Sequence, residues 1–303
     1  MLSILIPIYD TNAYPLVEEL WKQCISNKIN FEILCQDDAS KSILNKENEK
    51  INNLSNCSFI ELEDNVAHRK NRNILAKNSK FEYLLFIDGD SKIISEKYIW
   101  NFISETKQYD VVYGGRVHSD QKPESNYLLR WKYGKYMEDQ KPIFRTKNPF
   151  KCLLFNNTLI KRTLFEKVKF DDVFIKYGHD DTIFSYKLMQ ENASVFHINN
   201  PVQHEDLDTN DVFYNKMKQS LENLHEITNK NFIDEEYIKF TQVTSKLEKA
   251  KLDICISILY KVLEKAIKNN LIGNYPKLFV FNFFRLGYFC TLKIKYNESS
   301  NNK

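Results

Sequence analysis

The sequence predicts an α/β fold, a mixed, mostly parallel sheet flanked by helices, with a helical segment added at its C-terminal end. Three observations carry that prediction. The first hundred residues alternate apolar, strand-like runs with helix-like ones. Acidic residues gather just past the ends of those strand-like runs. The last part of the chain repeats its apolar residues at helical spacing.

Leu2 to Ile8 reads as a continuous apolar strand, and a helix follows around Leu16 to Ile25. Phe31 to Cys35, Ser58 to Leu62 and Tyr83 to Ile87 read as three more strands. Between the last two, Arg69 to Lys77 has the polarity and spacing of a helix. Apolar strands alternating with helices imply a parallel sheet covered on its faces. In such sheets ligands sit at the carboxyl ends of the strands, where the chain turns into loops.

Residues 114–208 are less regular and read as a second half of the same domain, after a first half at 1–113. Phe150 to Leu159 is rich in apolar and amide residues, and Thr163-Leu164-Phe165-Glu166 has the spacing of a helix capping box. Ile183 to Met189 reads as helix, and Ser194 to Ile198 as a strand leading into Asn200-Pro201-Val202-Gln203-His204. Residues 209–303 read as the helical segment. There Leu252, Cys255, Leu259, Val262, Leu263 and Ala266 keep helical spacing until Gly273 and Pro276 break it. Leu278 to Leu292 is aromatic and apolar but contains Arg285 and is too short to span a bilayer. Packing against the rest of the chain is expected of it; the alternative is a peripheral membrane or partner contact along 278–295.

Composition narrows the function classes. With 43% hydrophobic residues over 303 positions the chain has the material for a sizeable core, which excludes a disordered chain or a disulfide miniprotein. Its 43 basic against 40 acidic residues are too evenly balanced for a nucleic-acid-binding protein. Six scattered cysteines form no CxxC pair, and the N-terminal apolar run has no basic leader. Both features point to reduced thiols and a cytoplasmic location, with the first run a buried strand rather than an export signal.

The chemistry is expected at the strand ends. The first strand runs into Tyr9-Asp10, the second into Asp37-Asp38-Ala39-Ser40 and the fourth into Asp88-Gly89-Asp90-Ser91. Carboxylates gathered this way repel unless something cationic or hydrogen-bonding sits among them. Asp88-Gly89-Asp90 is a compact ligand set for a hard divalent cation, which would keep coordination positions open for substrate phosphates.

In this order the motifs resemble the family 2 glycosyltransferases over roughly residues 1 to 207. Ile6-Pro7-Ile8-Tyr9-Asp10 is similar to the family's opening strand and turn, with Asp10 where asparagine is usual. Asp37-Asp38-Ala39-Ser40 resembles the element that receives the nucleotide base. Asn65 through Arg72-Asn73 resembles the loop and helix with an Arg-Asn pair, although Ala67 stands where glycine is usual. Asp88-Gly89-Asp90 matches the DxD element, and Gly178-His179-Asp180-Asp181 matches Gly-x-Glu-Asp with aspartate at 180. Asn200 to His204 resembles the strand-end histidine segment. The resemblance implies a GT-A fold, with its Rossmann-like sheet, and inverting transfer from a nucleotide-sugar, UDP-sugars being favoured, to a glycan or lipid-linked acceptor. Surface polysaccharide assembly is the role it implies most often.

It also implies residue roles. Pro7, Tyr9, Asp38, Arg72, Asn73, Asp88 and Gly89 fall to the donor. Tyr9 would stack on the base, Asp38 would accept a hydrogen from it, and Arg72 would pair with Asp38 or approach the diphosphate. Asp90 and His204 would hold Mn2+ or Mg2+, with Asp88 at the ribose or reaching the metal through water; an imidazole ligand suits manganese better. Asp181 is the expected general base, with Asp180 its substitute. His179 is expected to be structural, and Trp131, Tyr133 and Tyr136 either line an acceptor groove or pack. Two rivals stand beside this reading. An Asp-dependent phosphatase would need threonine or valine where Lys92 stands. A catalytically inactive nucleotide-binding assembly protein would have no need of Asp90, Asp181 and His204 together.

Overall fold

A computed structural model of the chain describes residues 1–106, 108–171 and 177–301, with the side chains of 297–301 outside the described set. The described residues divide into two compact units. One takes in residues from 1–119, 138–171 and 180–206; the other takes in 120–137, 177–179 and 207–301.

The first unit is built on ten strands: β1 Leu2–Ile8, β2 Phe31–Asp37, β3 Cys57–Glu61, β4 Tyr83–Ile87, β5 Ser91–Ile93, β6 Val111–Tyr113, β7 Arg116–His118, β8 Asn157–Lys161, β9 Val195–His197 and β10 Val202–His204. Seven of them form one sheet in the order β3-β2-β1-β4-β8-β6-β9. The first four run parallel, and β8 is antiparallel to both β4 and β6. The other three form a small sheet, β5-β10-β7, that pairs His204 with Ser91 on one side and with His118 on the other. The strand-helix alternation of the sequence is the architecture found. The connecting helices of this unit are α1 Tyr14–Ser26, α2 Asn45–Asn48, α3 Ala67–Asn78 and α4 Tyr98–Ile103. In the second unit lies α5 Leu128–Tyr133; α6 Pro142–Arg145, α7 Arg162–Val168 and α8 Asp180–Gln190 return to the first.

Strand β1 shows why the apolar run must be a central strand. Ile4, Ile6 and Ile8 enter one core with Val17, Leu20 and Cys24 of α1, while Leu5 points to the opposite core. Successive side chains alternate between faces, so a strand buried on both sides reads as a nearly continuous apolar run, with Ser3 satisfied by donating to Glu32. On the second face, Phe86, Phe155, Phe165 and Phe184 form a ring cluster, Phe155 and Phe184 lying 4.2 Å apart. Phe184 is on α8, so this cluster fixes the helix that opens with Asp180 and Asp181. One expectation fails: Thr163 makes no cap, because α7 already begins at Arg162 and Lys161 precedes it without a side-chain cap hydrogen bond.

An amide network holds the strand that carries His204. The Asn157 side chain donates to the carbonyls of Gly115 (2.7 Å) and Asn200 (2.9 Å) and accepts from the Tyr98 hydroxyl (2.6 Å). Asn200 in turn donates to the Tyr98 carbonyl at 2.9 Å. Gly114 is required here, since a Cβ would stand 2.5 Å from both the Asn157 amide nitrogen and the Asn200 carbonyl oxygen.

Nearby, His197 donates from Nε2 to the Pro149 carbonyl at 2.9 Å, while its Nδ1 is buried without a partner. Burial, with Arg145 adding to it, pushes the imidazole down to about 4 from 6.5. The unfolded chain therefore takes up a proton at a higher pH than the folded one. Stability is expected to be intact above about pH 6.5 and to fall by about 1.4 kcal/mol per unit between pH 6.5 and 4. Denaturant melts of wild type and His197→Gln across that range check this. Equal slopes in the two proteins would refute it.

The second unit contains α9 Asn210–Asn229, α10 Lys239–Lys249, α11 Leu252–Ile272 and α12 Leu278–Asn301. Its core joins Phe213, Leu221 and Leu224 of α9 to Tyr260 of α11 and to Phe281, Phe284 and Phe289 of α12. At Gly287 the last two helices approach so closely that a Cβ would lie 2.5 Å from that of Tyr260. Packing is thus the fate of 278–295, as expected. Phe281, Phe284 and Phe289 of this run are interior, whereas Phe279 at its start is exposed. No helix among the described residues is long and apolar enough to cross a membrane. Tyr133 packs at 5.4 Å on both Phe213 and Phe281 and so joins this core; Trp131 is buried, and Tyr136 is exposed.

Candidate active site

All the acidic strand ends of the sequence lie in the first unit, and the structure supplies the cations they need. Helix α3 presents His68, Arg69 and Arg72, which share one face because residues three and four apart stack along a helix. The buried Arg72 guanidinium bonds Asp88 Oδ1 through Nη2 at 2.7 Å and Asp181 Oδ1 through Nη1 at 3.4 Å. Arg69 Nη1 reaches Asp180 Oδ1 at 2.9 Å, and His68 Nε2 reaches Asp180 Oδ2 at 2.9 Å. Arg72 also lies over the Phe170 ring, 5.3 Å from its centre.

This pairing separates the two aspartates that open α8. Both oxygens of Asp180 are taken by α3, and its carboxylate is buried. Asp181 has the longer contact to Arg72 and a hydrogen bond from the Phe155 backbone, and a quarter of its side chain is exposed. Burial pushes the Asp181 carboxyl above the usual carboxylate range; Arg72 opposes this, while Asp180 and Asp88 add to it. Of the two, Asp181 has the environment of a proton acceptor. Asp180 has that of a positioning group.

The donor-side residues are distributed as follows. Tyr9 follows β1 and is 62% exposed, so its ring is available for stacking. Asp37 accepts from the Ser40 backbone N–H (2.8 Å) and hydroxyl (2.6 Å), which closes the turn after β2. Asp38 accepts from the Val66 N–H at 2.7 Å, and its carbonyl accepts from the Asn65 side chain at 2.9 Å. Burial raises the Asp38 carboxyl despite that N–H. Pro7 lies within β1 beside Gln36. Gly89 sits so close to it that a Cβ would be 3.1 Å from the Pro7 carbonyl.

One expected pairing is corrected. Arg72 pairs with Asp88 and Asp181, not with Asp38. The Asn73 amide is engaged by the chain itself: it donates to the Phe170 carbonyl (2.9 Å) and accepts from the Phe170 N–H (3.1 Å), clasping the backbone ahead of α8. Ala67 is in the left-handed region, φ 66°, which explains why glycine is expected there. Such a conformation costs a non-glycine residue on the order of 1 kcal/mol. Asn65 and Asp38 hold the loop in it by accepting the N–H groups of Ala67 and Val66.

Asp90 and His204 do come together, His204 Nδ1 lying 3.2 Å from Asp90 Oδ2. The second oxygen, Asp90 Oδ1, is buried and has no hydrogen-bond partner. Burial alone would raise this carboxyl, but the hydrogen bond and charge of His204, with Arg116 nearby, hold it below the usual range. An ionised carboxylate with a buried, unpartnered oxygen beside an imidazole fits a divalent cation. Among the described residues no group of three or more His, Cys, Asp or Glu could hold a metal ion. Asp90 and His204 would therefore be two protein donors, with the remainder left to substrate oxygens and water. Asp88 is tied to Arg72 by one oxygen.

Sequence reasoning passed over His68 and Arg69, although their spacing from Arg72 opposite an Asp-Asp pair was a readable signal. It also missed the support of His204. The His118 ring meets the His204 ring edge-on at 5.4 Å and is fixed by Asp139, through Nδ1 at 2.6 Å and the backbone N–H at 2.9 Å. Arg116, two residues before, bonds Glu138 at 3.0 Å. Those contacts join strand β7 to a distant segment and leave no local pattern.

Comparison with known proteins supplies the context. The model of the family described as "Glycosyl transferase family 2" matches residues 3–169. An uncharacterized glycosyltransferase of Haemophilus influenzae is 36% identical over 103 residues, 32% of this chain and 32% of that protein. A poly(ribitol-phosphate) beta-glucosyltransferase of Bacillus spizizenii is 31% identical over 128 residues, 37% of this chain and 18% of that protein. The match thus spans about a third or less of either relative. The crystal structure of S. aureus TarS 1-349 superposes with a TM-score of 0.53 at 16% identity, covering 98% of this chain and 91% of that one. The same fragment in complex with UDP-GlcNAc gives 0.51 at 16% identity, over 98% and 92%. At that identity the likeness establishes the fold, which is the GT-A arrangement expected.

Proposed function

The chain belongs to glycosyl transferase family 2, and we propose that it is an inverting, metal-dependent transferase acting on a nucleotide-diphosphate sugar. A glycan or lipid-linked hydroxyl is the acceptor, and the cytoplasmic side of surface polysaccharide assembly is the setting. One observation carries this reading. Asp181, with a raised carboxyl, is linked through Arg72 to the Asp88 end of the DxD turn, whose other end, Asp90, meets His204.

In the reaction, Asp181 takes the proton of the acceptor hydroxyl as its oxygen forms the new bond to the anomeric carbon. The bond from that carbon to the diphosphate oxygen breaks on the opposite side, and its electron pair leaves with the nucleoside diphosphate, inverting the centre. Asp90 and His204 would hold a divalent cation, which when bound would supply Lewis-acid neutralisation of the leaving charge. Arg72 keeps Asp181 and Asp88 in register, while Tyr9 and Asp38 face the base. The complexes of TarS with UDP and with UDP-GlcNAc favour a UDP-sugar donor. The poly(ribitol-phosphate) beta-glucosyltransferase relative supports a polymer acceptor.

Thermal unfolding with UDP, GDP and CMP, each with and without Mn2+, tests the reading. Saturation at a hundred times the dissociation constant adds about 2.7 kcal/mol, or roughly 5–10 °C for a protein of this size. The expected result is a manganese-dependent shift with UDP that Asp90→Ala abolishes. No shift with any nucleotide would overturn it in favour of a nucleotide-independent role.

A further inference from the structure

Helix α11 is inside out over its first three turns. The side it turns to α12 carries Asp253, Ser257 and Tyr260, all buried, and Ser257 bonds Thr291 of α12 at 2.9 Å. The side it turns to solvent carries Leu252, Ile254, Ile258, Leu259, Val262 and Leu263. Val262 is 75% exposed and Ile258 57%. At about 3.6 residues per turn these six cover a continuous face opposite the buried one. Scattered exposed apolar residues need no explanation, but a continuous strip of them marks a surface that something covers.

The charges bordering the strip indicate what that is. Lys251, Lys261 and Lys265 are exposed around it. The acidic residues of the same helix lie on its other side: Asp253 is buried, and Glu264, though exposed, follows Tyr260 by one turn and accepts from its hydroxyl at 3.2 Å. Glu248, just before the helix, pairs with Lys293 of α12 at 2.7 Å. Among the described residues of α11, the outward charged groups next to the apolar strip are thus lysines. A second copy meeting this strip by two-fold symmetry would set its bordering lysines against those of the first. An apolar strip edged by lysines instead matches the boundary of an anionic bilayer, where the strip enters the acyl region and the ammonium groups meet lipid phosphates.

We propose that the outward face of α11 is a docking surface for anionic lipid bilayers, holding the protein at a membrane without spanning it. The proposal does not depend on the transferase reading, because none of these residues belongs to the active site. The test is co-sedimentation of the full chain with phosphatidylcholine vesicles containing or lacking phosphatidylglycerol. Binding is expected only with phosphatidylglycerol, and it should fall steeply as salt is raised. Leu259→Glu/Val262→Glu and Lys261→Glu/Lys265→Glu should each weaken it about tenfold or more. All four side chains are exposed, so the melting temperature of both variants should stay at the wild-type value, which separates lost docking from lost folding. Wild type that ignores anionic vesicles, or variants that bind as tightly as wild type, would overturn the proposal. So would a wild-type dimer that the variants convert to monomer while vesicle binding is unaffected.

Discussion

Replacing Asp181 with asparagine is expected to lower kcat by roughly 10²–10⁴-fold while leaving the nucleotide-dependent thermal shift in place. Asparagine keeps the shape of the side chain and can still meet Arg72, but it cannot accept the acceptor's proton. The same change at Asp180 should behave differently. Asp180 is ion-paired on one oxygen with Arg69 and lies against His68 on the other, so Asp180→Asn weakens the docking of α8 on α3 and lowers the melting temperature first. Wild-type activity should also fall as pH drops through the Asp181 titration, since the base works only when ionised. Burial, Asp180 and Asp88 place that titration above the ordinary carboxylate range. In Asp181→Asn the acid limb should vanish. A variant retaining activity within threefold of wild type would remove Asp181 from the chemistry.

How much of this was legible in the sequence differs between backbone and side chains. Strand β1 declares itself because both its faces are buried, so seven consecutive residues carry one signal. The carboxylates were legible for a related reason: each lies just past an apolar run, and parallel strands bring their ends to one side of the sheet. Partner choice was not legible. Arg72 lies 34 residues after Asp38 and 109 before Asp181, and nothing local says which it meets. The choice is made by how α3 is laid along the sheet, which the packing of Leu75 and Ala76 into the second core decides. The same limit applies to Asn73, whose amide was read as a donor contact and closes on the backbone of Phe170.

Helix α11 shows the converse failure. Its helical spacing was read correctly, yet the positions that define it, such as Leu259 and Val262, face outward. Periodicity identifies an amphipathic helix but not which partner its apolar face meets. Here small and polar groups, Ser257 against Thr291 and Gly287 against Tyr260, form the interior seam. Close helix approach selects small residues regardless of hydrophobicity, so the seam resembles a surface when read as a pattern.

Arg72→Met should produce the largest loss of stability in the site and also shift its pH response. The guanidinium is buried and serves two carboxylates, so its removal leaves Asp88 and Asp181 facing each other without a cation. Breaking a buried pair from one side costs about 3–5 kcal/mol, and part of that is relieved here because both aspartates retain some solvent. A fall of about 2–4 kcal/mol is expected, roughly 5–15 °C in melting temperature. The sign of the pH effect follows from the charges. Arg72 favours the ionised form of Asp181, so without it the Asp181 carboxyl rises further and the acid limb of kcat moves to higher pH. Arg72→Lys keeps a charge but loses the fork that reaches both aspartates, and should fall between wild type and Arg72→Met. A second change, Asp88→Asn, made in the Arg72→Met background, should restore part of the stability by removing one of the two stranded carboxylates. It should also draw the acid limb back toward lower pH, because Asp88 is one of the charges that raise Asp181. If Arg72→Met melted like wild type and kept its pH profile, the bridge between the two aspartates would have no part in holding or tuning the base.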